Sequence, residues 1–363
     1  MYIKYLQLIN FRNYKELNIE LNKNINIFIG NNAQGKTNIL ESIYYCSIGK
    51  SHRTNKDKEL IHWHGEEAYI KLYACNNRLD KKIEIKIFKE GKKGININSI
   101  KINRISELVG ILNAVIFSPE DLKIIKESPS FRRRFLDIEL CKLDKKYYFN
   151  LTQYNKVLND RNIVLKRYNN KEMDIIEIYD KQLSMYGDYI IRARQEYIKK
   201  LNLKGNIIHK DITSNLENIQ FSYLTVVKDI NNVKQEMLQL LKLNKNKDFE
   251  RKNTSIGPHR DDFDIKINGI DVRTFGSQGQ QRTSVLTMKF ASLEIIKDII
   301  GEYPILLLDD VLSELDLNRQ KYILKFVSNI QTFITCNNIG DMEKYLGKET
   351  NVFVVKGGMV NKT

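Results

Sequence analysis

Eight consecutive residues, from Gly30 to Thr37, have the composition and spacing of a phosphate-binding loop. They read Gly-Asn-Asn-Ala-Gln-Gly-Lys-Thr and satisfy the pattern Gly-x-x-x-x-Gly-Lys-[Ser/Thr] at every defined position. In such a loop the backbone N–H groups surround phosphate oxygens, the lysine reaches the β- and γ-phosphates, and the hydroxyl ligates Mg²⁺. A glycine-rich turn without a ligand is the alternative. The pattern predicts ATP and Mg²⁺ as cofactors, with contacts from Gly30, Asn31, Asn32, Ala33, Gln34, Gly35, Lys36 and Thr37.

A pair of carboxylates, Asp309 and Asp310, follows the apolar run at 304–308. Such a run predicts a buried central strand, and an open α/β sheet binds its ligands beyond the carboxyl ends of its strands. Asp309 can then join Thr37 in holding Mg²⁺, while Asp310 can polarise the attacking water. Our predicted catalytic residues are Lys36 and Asp310. A solvated turn at the end of a strand is the plainer interpretation of the two acids.

The segment Ser-Gln-Gly-Gln-Gln-Arg at 277–282 is a third candidate for phosphate contact. Backbone amides at the N-terminus of a helix bind anions, so this segment can be one half of a phosphate-binding site. A polar helix start without a ligand would use the same residue types, and both interpretations stay open.

The elements around these motifs have suitable periodicity. The apolar segment 25–29 predicts a strand that runs into the loop, and a helix follows directly. Alternating isoleucines predict a hairpin at 83–97, and Asn-Gly at 268–269 predicts a second hairpin. A long helix is predicted from about residue 280 to residue 300.

The middle of the chain has a helical apolar period. Spacings of three, four or seven residues connect Tyr147 to Tyr168, and a repeated four-three spacing connects Tyr179 to Tyr197. Two such segments, joined by a polar stretch, predict a short antiparallel helical hairpin with coiled-coil-like packing. An ordinary helical bundle core is the alternative.

This change of period predicts an α/β protein with an insertion. Strand signals occur at both ends and helical signals between them, so the ends should form one domain. We predict an N-terminal part of the α/β domain with the phosphate loop (1–118), an inserted helical lobe (119–250) and a C-terminal part of that domain with the segment 277–282 and the paired acids (251–363).

Composition restricts the possible partners. Lysine and arginine outnumber aspartate and glutamate by 59 to 44, and the net charge of +15 favours a polyanion such as nucleic acid. The four cysteines have no metal-binding spacing, which predicts reduced core thiols. No apolar run is long enough to cross a membrane and no signal-peptide core is found, so we expect a cytoplasmic protein without a membrane partner.

The order of the motifs resembles the ABC-type ATPase heads of the SMC and recombination-protein group. The shared features are the phosphate loop, the signature at 277–282 and an apolar strand with paired acids that precedes Ser-Glu-Leu-Asp at 313–316. Blocks at 50–54, 117–137 and 154–162 agree with the branch that acts in recombinational repair. The spacing from loop to signature is too long for a transporter ATPase and too short for a head with long coiled coils.

That resemblance implies a head with mixed sheets and a mechanism in trans. The signature of one copy, with Ser277, Gly279 and Gln280, would cap the nucleotide of another copy in an ATP-dependent homodimer, and 313–316 would form the D-loop. The implied function is a clamp on duplex DNA near single-strand gaps that promotes RecA loading with RecO and RecR. Weak, DNA-stimulated ATP hydrolysis would release it, slowly because Asp310 is shorter than the usual glutamate.

Two other functions stay open beside this one. A non-hydrolysing, ATP-gated DNA-binding protein would use the nucleotide only to hold the dimer together. Another ABC-type ATPase, such as a transporter subunit, would require a surface coupled to a membrane. The γ-phosphate sensor and the glutamine that senses Mg²⁺ in related heads are not assigned.

Arg132, Arg133 and Arg134 are our candidates for DNA contact, at the predicted start of a helix. Three successive residues cannot share one helical face, so at least one can turn inward and pair with an acid such as Asp137.

Two further segments have both a functional and a structural interpretation. His52 and Arg53, after the phosphate-loop helix, can approach a base or a phosphate, or form a salt bridge in a lid loop. The segment 257–263 can orient the signature or form a capped turn, and we predict no catalytic role for His259.

Overall fold

The computed structural model describes residues 1–76, 79–167, 173–312, 315–338, 340 and 350–363. In chain order, the strands are β1 (Tyr2–Phe11), β2 (Tyr14–Glu20), β3 (Ile25–Ile29), β4 (Glu67–Cys75), β5 (Lys81–Phe88), β6 (Lys93–Ile97), β7 (Ile100–Ile102), β8 (Ala114–Phe117), β9 (Ile219–Leu224), β10 (Asp262–Ile267), β11 (Ile270–Asp271), β12 (Ile305–Asp309), β13 (Thr332–Cys336), β14 (Thr350–Lys356) and β15 (Met359–Lys362). The α-helices are α1 (Lys36–Ile48), α2 (Ile105–Leu108), α3 (Lys123–Lys126), α4 (Pro129–Leu143), α5 (Lys145–Arg167), α6 (Met173–Ile212), α7 (Val233–Leu243), α8 (Lys245–Arg251), α9 (Val272–Phe275), α10 (Gln278–Ile300) and α11 (Leu317–Phe326).

The described chain forms two compact units. The first unit contains Met1–Asp121 and Ser292–Thr363, and the second contains Leu122–Ala291. Our predicted lobe ended at residue 250, whereas the second unit continues to Ala291. The physical reason is strand pairing, because β10 pairs along its whole length with β9, a strand inside the region whose sequence period is helical.

The first unit has two six-stranded sheets. One has the order β2-β1-β4-β5-β6-β7 with antiparallel pairs, and its strands alternate buried and exposed positions. The other has the order β15-β14-β3-β13-β12-β8 and is parallel from β14 to β8. All residues of β12 and β13 are buried, as expected for strands of a parallel sheet covered on both faces.

Helix α1 lies in the core of the first unit. Its apolar side chains, including Ile39, Leu40 and Ile43, belong to one buried cluster with side chains from both sheets. The helix contacts β4 of the antiparallel sheet as well as β8, β12 and β13 of the parallel sheet. This burial fixes the start of α1, which directly follows the phosphate loop.

The second unit contains the predicted helical hairpin. Helices α5 and α6 pack together, and two contacts show that they run antiparallel: Arg161 bonds Asp180, while Arg194 bonds Tyr147. A three-stranded sheet in the order β11-β10-β9 packs through β9 on α6 and through β10 on α4. The mixed α/β class with an inserted helical hairpin is therefore confirmed.

The cysteines of this chain are not paired with one another. All four cysteines are free thiols, and three of them are buried. Among the residues placed in the structure, no helix combines the length and the apolar character needed to cross a membrane.

Candidate functional site

The phosphate loop connects β3 to α1, and two of its glycines are required by geometry. A Cβ on Gly30 would lie 2.3 Å from the carbonyl oxygen of Val355. Gly35 has φ = 116°, and a Cβ there would lie 2.5 Å from Asn13 Nδ2. Side chains strongly disfavour that backbone region, so any residue other than glycine would distort the loop.

Three neighbours hold the loop from outside the motif. Asn13 Nδ2 donates to the Gln34 carbonyl at 2.8 Å, and the Tyr14 hydroxyl donates to the Gly35 carbonyl at 3.0 Å. The Gly357 N–H donates to Gln34 Oε1 at 2.6 Å. Sequence reasoning missed these residues, since no local motif marks a partner that comes from the turn between β1 and β2, from the start of β2 or from the turn after β14.

The Lys36 ammonium is held inside the loop. Its Nζ donates to the carbonyls of Gly30 and Asn31 and to Asn337 Oδ1, the last at 2.8 Å. Burial lowers the pKa of Lys36, and the nearby carboxylates of Asp310 and Asp309 oppose that effect. Asn337 follows β13 and was not among our predicted residues, although it directly contacts the lysine of the loop.

Asp309 lies at the end of β12 next to the start of α1. Its Oδ1 accepts hydrogen bonds from the hydroxyls of Thr37 and Thr335, each at 2.8 Å. Strands β12 and β13 are parallel neighbours with Asp309 opposite Thr335, which explains the second contact. The two residues that we predicted on the metal are thus brought together.

This donor set fits Mg²⁺. A hydroxyl and one carboxylate are the protein ligands expected when phosphate oxygens and water complete the shell. In the part of the chain that the structure describes, no group of three or more His, Cys, Asp or Glu residues could hold a metal by itself.

Asp310 has an unusual backbone conformation. Its φ is 54°, in the left-handed region, and its N–H donates to Thr335 Oγ1 at 2.9 Å. For a residue other than glycine this conformation costs about 1–3 kcal/mol, and such strain is concentrated at functional sites. The hydroxyl of Thr335 therefore connects both acids of the pair.

Arg53 forms the salt bridge that was one of its two predicted interpretations. Its Nη1 lies 2.9 Å from Asn38 Oδ1 and 3.5 Å from the buried Glu41, which also pairs with Arg12 at 2.7 Å. Neither ring nitrogen of His52 has a hydrogen-bond partner among the described residues, and burial lowers its pKa.

In the second unit, the signature forms a reciprocal cap at the start of α10. The Gln280 N–H donates to Ser277 Oγ at 3.2 Å, and the Ser277 N–H donates to Gln280 Oε1 at 3.0 Å. This is a capping box, which satisfies two free amides of a helix start. Gln280 also donates from Nε2 to Glu217 at 2.8 Å, and the other oxygen of Glu217 lies 3.2 Å from His209.

Arg132 is a correction to our DNA candidates. It is 4% exposed and forms a bidentate pair with Asp262, at 2.7 and 2.8 Å, instead of with Asp137. A buried, paired guanidinium cannot contact DNA. Arg133 is half-buried and donates to the Asp261 carbonyl at 2.8 Å, whereas Arg134 is exposed.

The segment 257–263 is part of a buried polar network. His259 Nδ1 lies 2.7 Å from the Tyr154 hydroxyl, and Nε2 lies 3.1 Å from the Thr254 carbonyl. Because a carbonyl only accepts, Nε2 carries the proton and Nδ1 accepts from Tyr154. Of the predicted D-loop, Ser313 and Glu314 lie outside the described residues, and Asp316 caps α11 by accepting from the Arg319 N–H at 3.0 Å.

The first unit combines a phosphate loop with an acid at the end of a parallel strand, and the second unit contains the Ser-Gln-Gly-Gln-Gln start of α10. Together these features define an ATPase head of the ABC and SMC type. The family model of the RecF/RecN/SMC N terminal domain matches residues 2–361. The DNA replication and repair protein RecF of Clostridium kluyveri is 65% identical over 363 residues, which cover 100% of both chains.

Solved structures of two related proteins are also similar to this chain. The recombination mediator protein RecF-ATP in the RecFOR pathway is 39% identical with a TM-score of 0.93, covering 100% of this chain and 97% of the other. An Smc head bound to the C-winged helix domain of ScpA is 15% identical with a TM-score of 0.60, covering 100% and 97%, which shows the fold alone. The chain therefore belongs to the RecF/RecN/SMC N-terminal domain family and, within it, to the RecF proteins, as the motifs predicted.

Proposed function

We propose that this protein is an ATP-dependent DNA-binding ATPase of recombinational repair. The observation that supports this most is the hydrogen bond of 2.8 Å between Thr37 and Asp309. These residues are far apart in sequence, and their meeting beside the loop lysine is what binding of ATP with Mg²⁺ requires. The solved RecF relative with ATP supports the same nucleotide.

The residues of the site divide the work of binding and hydrolysis. The amides of residues 30–37 and the Lys36 ammonium bind the β- and γ-phosphates, while Thr37 and Asp309 supply oxygens for Mg²⁺. When bound, the metal neutralises charge on the phosphates. Asp310 accepts a hydrogen bond from the attacking water and orients it toward the γ-phosphate. Because Asp310 is shorter than the glutamate usual in related heads, turnover is expected to be slow.

The signature is proposed to act on the nucleotide of a second copy. Ser277 is exposed, and the capping box orders the N-terminus of α10, whose free amides and positive end favour a γ-phosphate. Ser277, Gly279 and Gln280 would then close an ATP-dependent homodimer. ATP, rather than ADP, would hold the dimer because only ATP supplies the group that both copies contact.

The place of this dimer in the cell is proposed from the relatives. They are named DNA replication and repair proteins, and one solved structure is placed in the RecFOR pathway. We propose duplex DNA next to single-strand gaps as the substrate, RecO and RecR as partners, RecA loading as the result and the cytoplasm as the location. The net charge of +15 is consistent with a DNA partner.

Sedimentation velocity tests this function. The protein would be compared with ATP, with ADP and without nucleotide, in each case with and without duplex DNA at fixed salt. We expect a dimer and tighter DNA binding only with ATP. A monomer in all three states, with DNA affinity independent of nucleotide, would reject the proposal.

A further inference from the structure

A basic pocket opens on the second unit, away from the residues assigned above. It is an open depression of about 500 Å³ lined by Asn162, Lys166, Arg251, Lys252 and Asn253, and all of these except Asn162 are exposed. Asn162 and Lys166 are one turn apart on α5, so that they share a face. Arg251 is the last residue of α8, and Lys252 and Asn253 follow it. Three cations and two amides therefore converge on one space.

The amide of Asn162 has a fixed orientation. Its Oδ1 accepts from the Thr254 N–H at 2.9 Å and from the Thr254 hydroxyl at 2.8 Å. A backbone N–H only donates, so oxygen must face Thr254 and the Nδ2 donor is left for the pocket. Thr254 is itself fully buried and accepts from Arg161 at 2.9 Å. The wall of the pocket is thus rigid.

Among the described residues, no carboxylate lines the pocket. The buried acid Asp248 of α8 already has partners, since one oxygen accepts from Arg161 at 2.8 Å and the other from Ser255 at 2.6 Å. Within the described parts of the chain, Lys166, Arg251 and Lys252 form no ion pair. At the end of α8, the Asn253 N–H donates to the Asp248 carbonyl at 3.1 Å, which satisfies one acceptor of the last helical turn.

We propose that this basic pocket binds a phosphate group. Lys166, Arg251 and Lys252 would neutralise its charge, while the amide donors of Asn162 and Asn253 would bond its oxygens. A phosphodiester of duplex DNA and a free phosphate anion share this chemistry. Binding of a DNA phosphodiester in this pocket rests on the function proposed above, whereas binding of a free phosphate anion does not. The five residues are distinct from the rejected candidate Arg132 and from the nucleotide site.

The test removes charge from the pocket without disturbing its wall. The double variant Lys166→Gln/Arg251→Gln would be compared with Lys181→Gln/Lys242→Gln, which removes two exposed cations of the same unit from outside the pocket. Asn162→Asp is a second variant, because it keeps an oxygen for Thr254 and replaces the Nδ2 donor with a negative oxygen. Thermal unfolding and ATP-dependent sedimentation would check that each variant folds.

Two binding measurements distinguish the sources. In the first, affinity for duplex DNA with ATP is measured against salt. Each lost phosphate contact lowers the slope of log K against log salt by about 0.9, so the pocket double variant should lower it by about 2 and the control pair by much less. In the second, inorganic phosphate is titrated calorimetrically. Loss of that binding alone in the pocket variants would assign the site to a free anion.

The outcomes separate this inference from the proposed function. If the wild-type protein bound no DNA, the proposed function would fail, and the phosphate titration would still decide the pocket. The inference is overturned if the pocket variants, including Asn162→Asp, match the control pair in both measurements.

Discussion

The Asp310 carboxylate lies near the Lys36 ammonium. The backbone of Asp310 is left-handed, and its N–H donates a hydrogen bond to Thr335. Asparagine tolerates that backbone and has the same shape, so Asp310→Asn changes charge with little strain. We expect hydrolysis to fall by 10²-fold or more, a typical contribution of a general base, while ATP binding and dimer formation persist. Steady-state hydrolysis and sedimentation with ATP would measure this.

The control for that prediction is Thr37→Ala, which removes a proposed metal ligand and should weaken ATP binding itself. Unchanged turnover in Asp310→Asn would contradict the role of Asp310. If the wild-type protein itself showed no turnover but dimerised with ATP, the non-hydrolysing alternative would be correct.

His259 and Asp261 predict opposite responses of stability to pH. Burial lowers the pKa of His259 to about 4, so its contribution is complete above its unfolded pKa of about 6.5 and is lost as pH falls toward 4. Burial raises the pKa of Asp261 to about 6, so its contribution is complete below its unfolded value and is lost as pH rises through 6. Between pH 6.5 and 5 the two effects oppose each other.

Replacing either residue should therefore leave only the pH-dependent contribution of the other residue to stability. On acidification from pH 6.5 to 5, His259→Gln should gain about 1 kcal/mol of unfolding free energy relative to the wild-type protein, and Asp261→Asn should lose a similar amount. Urea unfolding at both pH values measures this, with the exposed His64→Gln as control. Parallel pH profiles in all four proteins would show that neither pKa is shifted.

For individual residues, sequence patterns predicted the motifs of the nucleotide site but not the residues outside the motifs that hold them in place. The loop and the paired acids are recognisable because each local pattern specifies its own chemistry. Asn337 and Thr335 are not, since their roles depend on β13 lying beside β12 and β3. At least one of the three successive arginines was predicted to turn inward and pair with an acid such as Asp137; Arg132 does turn inward, but its partner is Asp262, a choice that only tertiary packing decides.

At the element scale, Arg132 joins three elements of the second unit. Besides pairing with Asp262 at the start of β10, its Nη1 donates to the carbonyls of Ile124 and Glu127 at 3.1 Å, at the end of α3. Removing one partner of a buried ion pair typically costs about 3–5 kcal/mol. Arg132→Met should destabilise the protein by about that amount, whereas the exposed Arg134→Met should change stability by less than about 0.5 kcal/mol.

Chemical denaturation with guanidinium chloride would measure this difference. A double variant, Arg132→Met/Asp262→Leu, serves as the control, because it removes both charges and should recover part of the loss. Equal, small effects of Arg132→Met and Arg134→Met would contradict the buried pair.

Helix α10 begins at a residue that is tied to the end of the hairpin helix α6. Gln280 bonds Glu217, Glu217 bonds His209, and His209 Nδ1 lies 2.9 Å from Thr287 Oγ1 on α10 itself. A hydrogen bond to a charged group is worth about 1.5–3 kcal/mol. Glu217→Ala should therefore raise the ATP concentration for half-maximal dimer formation by roughly tenfold or more, with the fold retained.

Sedimentation across an ATP titration measures that shift. Glu196→Ala is the matched control, since Glu196 is exposed and lies 3.8 Å from the exposed Lys199 of the same helix. A Glu217→Ala midpoint equal to that of the control would show that the network does not position the signature.

Among the helices and strands, sequence patterns predicted some elements and missed others. Strong patterns predicted the hairpin of α5 and α6, the strand β3 and the Asn-Gly turn between β10 and β11. Strand β9 was not predicted, because it is six residues long and lies within a region dominated by a helical period. Its pairing with β10 moves residues 251–291 into the second unit, a long-range consequence that no local window contains.

At the scale of the whole molecule, the account depends on one site formed by two copies. Lys36→Ala should prevent nucleotide binding in its own copy, and Ser277→Arg should block the clamp on its neighbour. Neither variant alone should dimerise with ATP. In a mixture, the intact loop of one variant can meet the intact signature of the other, which restores one of the two composite sites.

Sedimentation of the equimolar mixture of Lys36→Ala and Ser277→Arg with ATP is therefore the most direct test. We expect the mixture to form ATP-dependent dimers although each variant alone stays monomeric. If the mixture also stayed monomeric while both variants remained folded and Ser277→Arg still bound ATP, the proposal that the signature acts in trans would be contradicted.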